Sequence, residues 1–163
     1  MHKLIYALVE ASDTDDALRA GKEVFNDLVG GKRLGTGEFD YFVTFDDTES
    51  TVGGPARCGD LPAAAPVTST SGQELLERGW QATKDDFNQH LETVTETVAE
   101  YTDEAMMANA NGIRNACKAL GERQGSDISL YDENGRGIQH RGELDRVCRY
   151  ADSLWIVPAD AHY

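Results

Sequence analysis

A chain of 163 residues with 29 acidic against 15 basic side chains, net −14, excludes sequence-independent binding to nucleic acid, which needs a lysine and arginine patch against phosphate. Its 40% hydrophobic content excludes a disordered chain, and the length fits a single domain, 1–163, whose core needs no disulfide or metal staple. No apolar run approaches a membrane span, and the N-terminal one, about six residues long, is too short for a signal peptide's apolar region, so the expectation is a cytoplasmic protein or a virion component assembled in the cytoplasm.

Residues 3–10, KLIYALVE, are apolar on both alternating faces, which predicts a strand inside a sheet covered on both sides. Ser12 and Asp15 suggest a capping box. Ala17, Leu18, Gly21, Val24, Phe25, Leu28 and Val29 follow at helical spacing, and Gly30-Gly31 ends that helix. In 38–46, EFDYFVTFD, alternation puts Phe39, Tyr41, Val43 and Phe45 on one face of a second strand. Residues 47–71, with Gly53-Gly54-Pro55, Pro62 and Pro66, read as a long irregular but ordered surface loop. Ser71 and Glu74 suggest a second capping box. Leu76, Trp80, Thr83, Phe87, Leu91, Val94 and Val98 then step along one face of a long helix, 72–100. Thr102 caps a further helix with the stripe Met106, Ala110, Ile113, Cys117 and Leu120, ended by Gly121 or Gly125. The short connection makes the two an antiparallel pair. A strand at 127–131, a turn at Asn134-Gly135, a short helix from Arg141 to Arg149 and a last strand, 153–157, stopped by Pro158, complete the chain. The predicted class is α+β: one small mixed sheet of about four strands in the order β-α-β-α-α-β-α-β, packed against helices, with the first and last strands central.

Aspartate (16) outnumbers glutamate (13), arginine (10) outnumbers lysine (5), and the acids are spread along the chain. Such a surface stays hydrated in molar salt, where the Debye length falls to about 3 Å and self-repulsion costs little. The expectation is a halophilic protein. On that reading Asp15-Asp16, Asp46-Asp47 and Asp85-Asp86 are solvated surface rather than sites. Three cysteines, Cys58, Cys117 and Cys148, form no C-x-x-C. Cys117 and Cys148 fall at apolar helix positions and read as small core residues, while Cys58 lies in a loop. Trp80, Met106, Met107 and Trp155 read as core; any of them exposed would mark an oligomer interface.

The segment 131–145, YDENGRGIQHRGELD, gathers the most chemistry. Counted from Asp132, it places Asp132, Asn134, Gly137 and Glu143 at positions 1, 3, 6 and 12 of a calcium loop. However, Arg136 falls where an oxygen ligand belongs, and a strand precedes the segment. Turn chemistry explains it better: Asn134-Gly135 supplies a tight turn and Asp132 accepts backbone N–H groups across it. A ligand corner of Asp132, His140 and Arg141 is the chemical alternative, a histidine with a carboxylate serving as acid or base and an arginine holding an anion. Cys58-Gly59-Asp60 with His140 would be a Cys-His-Asp nucleophile only if the fold united them. His2 is terminal, His90 a boundary residue, and Asp160 with His162 a two-ligand pair in an extended tail, short of a metal site. No H-E-x-x-H, G-x-S-x-G, P-loop or dinucleotide fingerprint occurs, and no cofactor or metal is expected.

Four stretches, YALVEAS at 6–12, FDYFVTFDD at 39–47, LYDENGRGI at 130–138 and LWIVPADAHY at 154–163, resemble small acidic proteins of haloarchaea and their viruses. The resemblance implies a halophilic cell or virus and transfers no catalytic residue. Together these features favour a non-catalytic interaction or assembly module with a protein partner or a second copy. The alternatives are a small enzyme or ligand sensor at the Asp132 corner, or an acidic DNA mimic. A deep pocket at that corner would favour the sensor; an exposed apolar stripe on residues 76–98 would favour assembly.

Overall fold

The computed structural model describes residues 1–30, 37–108, 110–122 and 127–163, with the backbone alone for 150 and 151. The elements run β1 (His2–Glu10), α1 (Thr14–Gly30), β2 (Tyr41–Thr44), α2 (Pro55–Cys58), β3 (Ala65–Pro66), α3 (Thr70–Glu100), α4 (Asp103–Ala108), α5 (Ala110–Gly121), β4 (Ile128–Tyr131), α6 (Arg141–Val147), a 3-10 segment Cys148–Ser153, and β5 (Leu154–His162). The class is α+β. The sheet order is β2-β5-β1-β4, with β3 also pairing β5. β1 runs parallel to β4, while β5 lies antiparallel to β1, β2 and β3. The two strands with apolar residues on both faces are the central ones, as their patterning predicts.

The last strand runs on through Pro158, where the sequence predicts a stop. Leu154 and His162 turn their carbonyls away from β1 and accept from Val67 N (2.9 Å) and Asp40 N (2.6 Å). Pro158 has the same parity, so the N–H it lacks would point to that side. β3 pairs with residues 155 and 156 and β2 with 159–162, so the position faces the gap between them. A proline is tolerated inside a sheet where no ladder bond is lost.

Each face of the sheet carries its own core. Ile5, Ala7, Val9, Val157, Ala159 and Ala161 pack against Val24, Phe25 and Leu28 of α1. Tyr6, Leu8, Leu130, Leu154 and Ile156 pack against Val67, Leu75 of α3 and Leu144 of α6. Both long helices approach the sheet through a glycine. A Cβ at Gly21 would lie 2.8 Å from the Val157 side chain, and one at Gly79 2.5 Å from Leu130 Cδ2.

Helix starts differ from the sequence expectation by one or two residues. Asp13, not Ser12, caps α1, its Oδ1 accepting from Asp16 N (2.9 Å), while Asp16 accepts from Ser12 N (3.1 Å). Ser69, not Ser71, caps α3: its Oγ accepts from Gly72 N (3.1 Å) and donates to Pro66 O (2.7 Å), which ties the helix start to β3. Thr102 caps the next helix as predicted, accepting from Ala105 N (3.3 Å); its described residues are α4 and α5, on either side of residue 109, which lies outside the described residues. Gly121 ends α5; Gly31 and Gly125 lie outside the described residues. The 47–71 loop contains α2 and β3 and buries Gly53, Gly54, Ala65 and Val67, so it is a folded layer rather than a surface excursion.

Candidate functional site

The segment after β4 folds back on the strand that leads into it. Ile138 N donates to Leu130 O (2.8 Å), Asp132 N to Arg136 O (2.9 Å), and Tyr131 bridges Gly137, so the segment covers the outer edge of β4. Asp132 is buried. Its Oδ1 accepts from Asn134 N (2.9 Å) and Arg136 N (3.0 Å), and Gly135 supplies the positive φ of 68°. The oxygen a calcium ion would need is thus held by the turn's own backbone. His140 opens α6 as its N-cap: Nδ1 accepts from Glu143 N (3.3 Å), while Glu143 Oε2 accepts from Gln139 N (2.8 Å) and His140 N (3.3 Å). This is a capping box with imidazole in the serine role, and the signal for it was Glu143 three residues after His140.

The proposed corner therefore does not converge. Asp132 lines a cavity of about 200 Å³ with Glu10, Glu133 and Arg146, and Arg146 Nη2 lies 3.8 Å from Asp132 Oδ2. His140 is exposed at the helix start, and Arg141 Nε bonds Asp145 Oδ1 at 2.7 Å. Arg141 lines a different feature, a groove of about 640 Å³ between α3 and α6 floored by Val67, Leu76, Trp80, Leu144 and Cys148.

Cys58 makes no contact with His140. It sits at the end of α2, next to Asp160, which is 1% exposed on β5. Asp160 Oδ1 meets His2 Nδ1 at 3.2 Å; Oδ2 accepts from Gly54 N (3.2 Å) and lies 3.6 Å from Arg57 Nε. A Cβ at Gly53 would come within 3.0 Å of that oxygen, and Gly54 has φ 61°. The carboxylate thus pins loop 53–58 to the sheet. Burial, reinforced by the Asp160 charge, pushes the Cys58 thiol above its ordinary value, the opposite of nucleophile activation. Asp160 and His162 share a strand face rather than a tail. His162 Nδ1 lies 3.3 Å from Asp40 Oδ2, outside hydrogen-bond geometry. Near Cys58, the buried Tyr6 hydroxyl has no hydrogen-bond partner among the described residues, and burial raises it too. Among the described residues no three His, Cys, Asp or Glu side chains could hold a metal ion.

The largest departure from the expected core lies in the helical pair. From Phe87 to Glu122 no described residue is buried. Phe87, His90, Val94, Thr97 and Tyr101 are half-buried at steps of 3 and 4, the seam of a helix packed against one partner; Ile113, Ala116 and Leu120 answer on α5. Leu91 (42% exposed) and Val98 (44%) fall one position off that seam, and Met107 is 84% exposed. Cys117 is exposed as well, contrary to its core reading, because among the described residues no third layer covers α5. Cys148, Met106, Trp80 and Trp155 are half-covered. Asp86 reverses its surface reading: it is buried, with His90 Nε2 3.5 Å from its Oδ1. Among the described residues no helix is long and apolar enough to cross a membrane.

Over residues 1–163 the chain matches a family described as Domain of unknown function (DUF7995). No curated protein and no solved structure matches it.

Proposed function

Because the chain belongs, over its 163 residues, to that family of unknown function, we propose its role from its own surface: a non-catalytic interaction or assembly module of a halophilic archaeon or halovirus, engaging a protein partner through the α3–α5 hairpin. One observation carries this. The hairpin leaves the body with no buried residue beyond Asp86 among those described, and it shows apolar side chains, Leu91 and Val98, outside its own seam. An uncovered two-helix layer is completed by another chain. The exposed acids Asp13, Asp15, Asp46, Asp47 and Asp85 support the halophilic part.

The test is light scattering with native mass spectrometry in about 2–3 M KCl, where screening removes self-repulsion. Wild type is expected to carry a bound protein chain, and Leu91→Glu/Val98→Glu to lose it while keeping a native circular dichroism spectrum. A monomer carrying a stoichiometric metal or metabolite would overturn the proposal and return attention to the cavity beside Asp132.

A further inference from the structure

We infer that the hairpin's occupant is a second copy of this chain, docked about a two-fold axis running along the hairpin, so that α3 of each copy lies on α5 of the other; this rests on the interaction reading above. The geometry of the seam says which face is free. Taking Phe87, Val94 and Tyr101 as heptad a and His90 and Thr97 as d, Leu91 and Val98 are e positions. On α5, with Ile113 and Leu120 as a and Ala116 as d, the e positions are Ala110 and Cys117, both exposed. In an antiparallel pair, e positions of the two helices share one side. Leu91, Val98, Ala110 and Cys117 therefore form one apolar face. The residues α3 buries, Gly72, Leu75, Gly79, Thr83 and Asp86, fall at g, c and d, so the e face looks away from the body. Two copies can stack there without their sheets colliding.

Charge selects the occupant. α5 carries Arg114 and Lys118 and no acid, in a chain of net −14. α3 carries seven carboxylates against Arg78 and Lys84. Around the apolar face, Glu92 borders the α3 side, and Arg114 and Lys118 border the α5 side. Glu92 and Arg114 have no ion pair among the described residues, and Lys118 reaches only Glu122, at 3.8 Å. A patch that is acidic along one edge and basic along the other is complementary to itself once a two-fold axis exchanges the edges. A wholly basic partner would leave Arg114 and Lys118 opposed, and a wholly acidic one would leave Glu92 opposed.

Sedimentation equilibrium, at the lowest KCl concentration that keeps a native circular dichroism spectrum, tests this. Wild type is expected to be a dimer. Glu92→Arg, and separately Arg114→Glu/Lys118→Glu, are expected to dimerise about tenfold more weakly, as one or two exposed pairs turn from attraction to repulsion. An equimolar mixture of the two variants is expected to recover wild-type affinity, because each contact in the mixed dimer again joins opposite charges. A mixture no tighter than its parts would overturn the α3-on-α5 arrangement. A monomeric wild type at every concentration would overturn the second copy altogether. The interaction reading would survive that result if Leu91→Glu/Val98→Glu still abolished binding of a different protein, and would fall with it otherwise.

Discussion

At the scale of single residues, the clearest chemistry lies at Asp160, and it is structural. The 1% exposed carboxylate is held in place by Gly54 N, His2, Arg57 and the Cys58 thiol, which all turn toward it. The thiol bears the cost in reactivity. In alkylation with iodoacetamide across pH, exposed Cys117 should react first, and Cys58 should lag with its midpoint displaced upward from 9.0. Asp160→Asn removes the nearby charge and should bring that midpoint down, though not below the ordinary value, since burial is the larger cause. A Cys58 that alkylates faster than Cys117 would contradict this account. None of this was legible in the sequence: Asp160 and His162 were visible as a pair, but Asp160's partners come from residue 2 and residues 54–58, and only the sheet brings them together. The turn at Asp132 was legible because all its bonds are local. His140 was noticed as a candidate acid or base, and the structure makes its imidazole the cap of α6.

At the scale of elements, two-sided apolarity over long runs placed β1 and β5 at the centre of the sheet, where helices cover both faces; β4 is buried on both faces too but lies at the edge. Two features escaped. β3 is two residues long and exists only as a partner of Leu154–Trp155–Ile156, so no local pattern announces it. Pro158 read as a stop because a proline's harm depends on which side of the strand its missing N–H faces. If that side is the gap between β2 and β3, Pro158→Ala restores no ladder bond and mainly loosens the unfolded chain. The expected result is an unchanged fold and a loss of about 0.4–1 kcal/mol, read from urea denaturation. A gain in stability would mean that a ladder bond had been missing. The helical stripe was also half legible. Its period was right, but a period reports which side of a helix is apolar, not whether anything covers it.

For the whole molecule, alkaline pH should expose the balance of buried acids. Burial raises Cys58 and Cys148 above 9.0, and Tyr6 above 10.0; it raises Tyr131 as well, which also donates to Glu38 Oε1 at 2.7 Å. These groups stay protonated when folded and release protons when unfolded, so above about pH 9 the unfolded state binds fewer protons and stability falls as pH rises. Lys3 has the opposite sign: burial lowers it from 10.5, so the unfolded chain holds its proton longer and stability rises with pH in that window. Burial raises Tyr163 above 10.0 too, so five groups stand against one, and the denaturation midpoint is expected to be lower at about pH 10.5 than at about pH 8. A higher midpoint would show that Lys3 dominates.

The order of strands also sets a timetable for synthesis. β1 is made first, yet both its neighbours, β4 and β5, come from residues 128–162. While the ribosome works through the intervening stretch, an apolar strand can pack on α1 but has no native strand to pair with at either edge. The α3–α5 hairpin, held by contacts close in sequence, can form in that interval. The nascent chain therefore passes through a stage in which its protruding arm is built and its centre is not. Its exposure to aggregation or to chaperones is set by how long β5 takes to arrive.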